Sequence, residues 1–258
     1  MSAGAASHRR VLVTGASRGI GFAVAHAFAA AGDEVVVLAD DDGIHAAATD
    51  IAAATGATVR PLQADIADAD AVARVLEAVE TLDVLVNNAG LERLTPIADE
   101  AAEVDALFRR IVDVNVVGSF TVTRRALPKI PRGGRIIFTA SVWGRTGEAG
   151  FAGYAASKHA VIGLTRTLAR ELAHRDITVN AVCPGWVRTE SSMRSLARMA
   201  RRDGTSEAAL LERIVGAQAL GGLMEPADVA GTYLFLASPA AADVTGQTLN
   251  VDRGELMA

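Results

Sequence analysis

The sequence predicts an α/β fold, a doubly wound parallel sheet with helices on both faces, in a single domain over residues 1–258. Three observations carry this expectation. Apolar, strand-sized runs alternate with stretches of helical periodicity along the chain, and strand, helix, strand repeated this often requires parallel pairing. A glycine-rich turn follows the first run directly. Half of the 258 residues are hydrophobic but only 4% are aromatic, which suits one core of Ala, Val, Leu and Ile.

The first strand, RVLVTG (10–15), leads into TGASRGIG (14–21) and then the helical GIGFAVAHAFAAAG. Gly15, Gly19 and Gly21 follow G-x-x-x-G-x-G spacing rather than G-x-G-x-x-G. The physics is the same: glycines let the backbone turn tightly and approach a pyrophosphate held at the N-terminus of the next helix. Ser17, Arg18 and Ile20 lie in that turn and join the glycines as candidate cofactor contacts.

The second strand, EVVVLA (34–39), runs into DDDG and puts Asp40 nineteen residues after Gly21, where a carboxylate bonds the adenosine ribose hydroxyls. A 2′-phosphate there meets like charge, a penalty of about 4 kcal/mol per pair at ~4 Å and an effective dielectric near ~20. The cofactor expectation is therefore NAD rather than NADP, with Arg18 as the counterweight because a guanidinium clamps phosphate.

The remaining strands are ATVRPL (57–62), LDVLVNN (82–88), RIIFTAS (135–141), ITVNAV (177–182) and QTLNV (247–251). One stretch departs from the alternation. Residues 188–222 form a polar, helix-prone insertion after the turn at Pro184 and Gly185. Open α/β sheets bind ligands beyond the carboxyl ends of their strands, so this insertion is expected to be a substrate lid.

A net charge of −5 and a pI near 5.6 give no electrostatic footprint for nucleic acid or an anionic membrane. The start, MSAGAASHRR, has no apolar run before its charges, and the expectation is a cytoplasmic protein. Cys183, the only cysteine, lies in an apolar run and reads as buried filler. No metal-ligand pattern stands out.

The chemistry concentrates in SVWGRTGEAGFAGYAASK (141–158). Tyr154 and Lys158, at i and i+4, share one face of a helix. A phenol with an ordinary pKa near ~10 is a poor base at neutral pH, and a nearby ammonium together with a positive nicotinamide favours the phenolate. Tyr154 then serves as general base for alcohol oxidation or general acid for ketone reduction.

With TGASRGIG, NNAG (87–90), Asn115 of DVNVVG, Ser141, YAASK and NAVCPGWVRT in order, the chain resembles the short-chain dehydrogenase/reductase family over essentially its whole length. The resemblance implies a Rossmann-type domain, usually a homotetramer or homodimer, moving hydride between a nicotinamide cofactor and a carbonyl or alcohol carbon. It implies that Lys158 also holds the nicotinamide ribose, Ser141 polarises the substrate oxygen and Asn115 supports a proton relay. By the same resemblance Asp65 contacts the adenine with the Ile66 backbone beside it, Asn87 lies along the cofactor, and Val187 and Thr189 meet the carboxamide. Arg253 replaces a glycine common in relatives, in a segment that often packs at the subunit interface.

For the substrate, the chain resembles both 3-oxoacyl or polyketide ketoreductases and 3-hydroxybutyrate dehydrogenases. The polar set that holds a small carboxylate in the second group is replaced here by Glu92, Trp143, Phe151 and Ser195, with Trp186 retained. A carboxylate facing Glu92 and large apolar rings is poorly held, which disfavours 3-hydroxybutyrate. Trp143, Phe151 and Trp186 are expected to converge on one pocket, for a bulky or hydrophobic secondary alcohol or ketone. The competing expectations are an NADPH-dependent 3-oxoacyl-thioester or polyketide ketoreductase, and a dinucleotide-binding regulator without turnover.

Overall fold

The computed structural model describes residues 9–257; the amino-terminal reading made on residues 1–8 lies outside them. All seven apolar runs become strands: β1 (Arg10–Thr14), β2 (Glu34–Ala39), β3 (Val59–Gln63), β4 (Val84–Asn87), β5 (Arg135–Thr139), β6 (Thr178–Pro184) and β7 (Thr248–Val251). They form one parallel sheet in the order β3-β2-β1-β4-β5-β6-β7. Val11 of β1 registers with Val35 on one side and Val84 on the other, so the first strand lies inside the sheet.

The connections supply α1 (Gly19–Ala30), α2 (Gly43–Thr55), α3 (Ala69–Glu77), α4 (Ala102–Val112), α5 (Ser119–Ala126), α6 (Ala152–Leu172), α7 (Glu190–Arg202), α8 (Glu207–Gly216) and α9 (Pro226–Ala237). Strand alternation sorts the core into two layers. Val11 and Val13 pack with Val24 and Phe28 of α1 and Tyr233 of α9. Leu12 points to the other face, with Val72 of α3, Val122 of α5 and Val161 of α6. Fully burying a side chain such as Phe28 or Leu12 contributes about 1.5–3 kcal/mol.

Two departures from regular geometry position the site. Between α4 and α5 the chain makes a π-helical turn at Asp113–Gly118, which buries Asn115. The insertion at 188–222 folds into α7 and α8, and α7 starts with a reciprocal cap between Thr189 and Ser192. Its apolar face (Leu196, Met199, Ala200) joins Leu210 of α8, Val142, Trp143, Phe151 and Trp186 in a third cluster. The insertion is thus packed against the residues that follow β5 and β6.

Arg253 has a φ of 55°, the left-handed conformation that a glycine adopts freely. Its guanidinium donates to the Gly221 carbonyl at 2.7 Å and stands 3.7 Å from Asp228. Those contacts offset the backbone strain. Cys183 is buried and free. Among the described residues no helix is long and apolar enough to cross a membrane, and no cluster of His, Cys, Asp or Glu has the makings of a metal site.

Candidate active site

Beyond the carboxyl ends of β1, β2, β4 and β5 runs a groove of about 440 Å³. Its floor is the glycine turn. Gly15 and Gly19 hold φ values of 64° and 59°, and a Cβ on Gly15 would stand 2.6 Å from the Ala89 Cα. On Gly21 it would stand 2.1 Å from the Gly15 carbonyl oxygen, so only glycine lets α1 begin this close to the strand. The first turn of α1 has neither a side-chain cap nor an acidic residue. Its free N–H groups and dipole are left for an anion, as a pyrophosphate requires. Ser17, Arg18 and Ile20 line the same groove, and the residues present fit a dinucleotide.

At the far end, Asp40 is exposed on the groove wall. The residue that engages the glycine turn is its neighbour Asp41. One Asp41 oxygen accepts from Ser17 Oγ and from the Arg18 guanidinium, both at 2.9 Å, and the other accepts from the Gly43 N–H at 3.0 Å. Arg18 also lies 3.6 Å from Glu190 at the start of α7, tying the glycine turn to the lid. Asp65 and Ile66 line the groove, with Asp65 paired to Arg110 at 2.6 Å.

The two asparagines of NNAG divide the work. Asn87 is buried and donates to Thr123 Oγ1 of α5 at 2.9 Å, away from the groove. The expectation that it lies along the cofactor therefore passes to Asn88. Asn88 lines the groove and donates to the carbonyls of Thr14 and Gly15, both at 3.1 Å. Similarly, Thr189 faces the groove, 3.4 Å from where a Gly19 Cβ would be, whereas the Val187 side chain is buried in the core with Met224.

Ser141, Tyr154 and Lys158 do come together, at the carboxyl end of β5. Ser141 is buried and accepts from the Trp143 N–H at 3.2 Å. Lys158 Nζ sits 5.5 Å from the centre of the Tyr154 ring and donates to the Thr139 carbonyl at 2.7 Å. Asn115 is a clamp: its amide exchanges hydrogen bonds with the Leu91 backbone at 2.7 and 3.1 Å and donates to Ser157 Oγ at 2.8 Å. It thereby fixes the loop after β4 against α6.

The electrostatics correct the simple lysine argument. Burial pushes the Tyr154 phenol well above its ordinary value, the Glu92 carboxylate adds to this, and a hydrogen bond with Ser141 pulls the other way. Burial also lowers Lys158 from 10.5 to about 8. In the chain itself desolvation outweighs every other influence on the phenol, although Lys158, at about 8, is still mostly an ammonium at neutral pH. Tyr154 therefore stands protonated, ready to give a proton, and takes one up as a base only when further positive charge lies beside it.

Behind Tyr154 the groove narrows into a chamber of about 60 Å³ lined by Glu92, Ser141, Val142, Trp143, Tyr154, Gly185, Trp186 and Ser192. The Trp143 and Trp186 rings meet edge to face at 6.0 Å. Phe151 does not line the chamber: it is fully buried, 4.8 Å behind Trp143, and props that ring. A three-ring pocket for a bulky substrate is therefore not what forms, because the third ring and the lid cluster fill the space. Ligand pockets for larger molecules run to ~300 Å³ and more.

Asn88, Asp41, Thr139 and Ser192 are the site residues that the motif reading missed. The Asn87 and Asn88 pair was open to strand alternation: Asn87 shares the parity of Leu85, which faces α5, so the next residue is the one turned toward the glycine turn.

Comparison with known proteins agrees with this construction. Residues 15–255 match a family model described as enoyl-(acyl carrier protein) reductase. A 3-oxoacyl-[acyl-carrier-protein] reductase of Synechocystis sp. is 41% identical, over 95% of this chain and 96% of its own. The D-beta-hydroxybutyrate dehydrogenase of Cupriavidus necator is 33% identical over 95% and 96% of the two chains. Among solved structures, a putative NAD(P)-dependent gluconate 5-dehydrogenase from Beutenbergia cavernae with bound NADP superposes with a TM-score of 0.86 at 38% identity, covering 98% of this chain and 99% of that one. A glycine-turn groove ending at a serine, tyrosine and lysine, in a chain matched from end to end by such relatives, belongs to the short-chain dehydrogenase/reductase family, oxidoreductases of CH–OH and C=O groups.

Proposed function

We propose that the protein is an NAD(H)-dependent oxidoreductase that moves hydride between the nicotinamide and a secondary alcohol or ketone. The observation that carries the reading is the junction of groove and chamber at Tyr154, with Ser141 and Lys158 beside it. Hydride donation and acceptance are what a nicotinamide dinucleotide supplies when bound. The chain supplies the rest: Ser141 positions the substrate oxygen, Tyr154 gives or takes its proton, and Lys158 binds toward the groove with the donors not spent on Thr139. Asn115 holds the Leu91 loop and α6 in register around them.

NAD rather than NADP is supported by the charge around the ribose end. Asp40 and Asp41 both border it, and Arg18, the group that would clamp a 2′-phosphate, is already engaged by Asp41. The second reading, an NADPH-dependent 3-oxoacyl-thioester ketoreductase, draws on the 41% identity to the Synechocystis protein. The chamber of about 60 Å³ favours a compact alcohol or ketone over either a bulky ring or a long acyl chain. A homo-oligomer is supported by apolar residues left exposed, Phe108 on α4, Phe120 on α5, and Phe235 and Met257 beside one surface groove.

The test is Tyr154→Phe. Turnover of secondary alcohols is expected to fall by about 10²–10⁴-fold, the usual worth of a positioned acid or base, while the Kd for NADH changes less than about twofold. Unchanged turnover in this variant would remove Tyr154 as the proton donor.

A further inference from the structure

We propose that Glu92 is the specificity residue of this site and selects substrates with a hydroxyl on the carbon next to the reacting one, vicinal diols and their hydroxyketones. This rests on the hydride-transfer reading above and adds the substrate class to it.

The geometry of the two cavities makes the argument. Glu92 and Tyr154 are the two residues that line both the groove and the chamber, so they form the doorway between them. A substrate whose reacting oxygen reaches Ser141 and Tyr154 presents its adjacent atoms to the Glu92 carboxyl. The chamber, at about 60 Å³, leaves little room beyond those atoms. Its walls are two indole rings together with Glu92, Ser141 and Ser192, a lining for a short molecule with apolar C–H faces and hydroxyl edges.

The carboxyl already binds hydroxyl groups. Ser191 Oγ donates to Glu92 Oε2 at 3.3 Å, and Ser195 hydrogen-bonds it as well, both from the lid helix α7. A carboxylate offers about four acceptor positions, and a contact of 3.3 Å is at the long end for two oxygens, so a substrate hydroxyl has room to join these partners on the carboxyl. Burial also raises the Glu92 pKa, with Arg194 and Arg93 pulling it back. Arg93 and Arg194 line the groove and not the chamber, so a carboxylate seated in the chamber meets Glu92 first.

The experiment measures kcat/KM with NAD⁺ for butane-2,3-diol and butan-2-ol, and for acetoin and butanone in reverse with NADH, in the wild type, Glu92→Gln and Glu92→Ala. The readout is the ratio within each pair, whatever a variant does to the absolute rate. The wild-type ratio is expected to favour the hydroxylated partner by about ten- to a hundredfold, the worth of a hydrogen bond to a charged group. Glu92→Gln, which keeps a neutral acceptor, retains part of that ratio, and Glu92→Ala brings it near unity. A ratio unchanged in Glu92→Ala overturns the assignment of Glu92 while leaving the hydride reading intact. No turnover of either pair in a wild-type protein that binds NADH overturns both. A wild-type preference for 1-aminopropan-2-ol over propane-1,2-diol makes the recognised group an ammonium and overturns the hydroxyl assignment.

Discussion

Glu255 is a half-buried carboxyl whose one buried oxygen lacks a partner, packed where a Cβ on Gly185 would come within 3.0 Å. Burial first, then Asp252 and Glu148, raise its pKa from 4.5 to about 6. The folded chain keeps a proton there that the unfolded chain releases, so this residue's contribution is fully present below 4.5 and is lost as pH rises through 6. Glu255→Gln makes the neutral state permanent. At pH ~7.5 it is expected to stabilise the fold by about 1 kcal/mol, after discounting for partial exposure, or ~2–4 °C in Tm. At pH ~4.5 the gain disappears. Thermal unfolding at the two pH values checks this, and an equal gain at both would mean that titration is not the cause. Such a shift is invisible in the sequence, because it depends on Glu148 lying beside a segment more than a hundred residues later. Ser141, Tyr154 and Lys158 were legible as neighbours from local signals, because an apolar run ends at Ser141 and i, i+4 spacing puts the other two on one helix face, while their roles came from the family resemblance. Phe151 was misplaced for the opposite reason: its spacing puts it near Trp143 but says nothing of which side of that ring it takes.

Among elements, the glycine turn was fully legible and its acidic partner only in part. The run DDDG fixes a carboxylate at the end of β2, but which aspartate reaches Ser17 and Arg18 depends on the turn into α2, where Asp41 also accepts from the Gly43 N–H. In fluorescence titrations the wild type is expected to bind NADH about a hundredfold more tightly than NADPH, some 2.7 kcal/mol. Asp41→Ala frees Arg18 and should cut that ratio at least tenfold; tighter NADPH binding by the wild type would reverse the cofactor assignment. The insertion at 188–222 was legible as polar and helix-prone, since its caps and charges are local signals. Its docking was not. Leu196, Met199 and Leu210 find Trp143 and Trp186 only through tertiary packing, and that packing leaves the chamber small.

For the molecule as a whole, the alternation of strands and helices made the parallel sheet legible, because each strand needs a crossover to reach the next. Assembly beyond one chain leaves a fainter trace. Phe235 and Met257 border a surface groove of about 590 Å³ formed by α9, β7 and the carboxyl-terminal segment, while Phe108 and Phe120 lie exposed on α4 and α5. Light scattering is expected to give two or four times the chain mass of 26.7 kDa, and a mass of 26.7 kDa would refute the oligomer. The strand order also bears on how the chain is made. β1 leaves the ribosome first but needs β4 on its second edge, so between Gln63 and Val84 a nascent three-stranded sheet carries an open row of backbone donors and acceptors. At ~5–20 residues per second this exposure lasts on the order of one to four seconds. From β4 onward every new strand meets an edge its predecessor has just formed, and the vulnerable interval closes as Asn88 arrives to complete the wall of the groove.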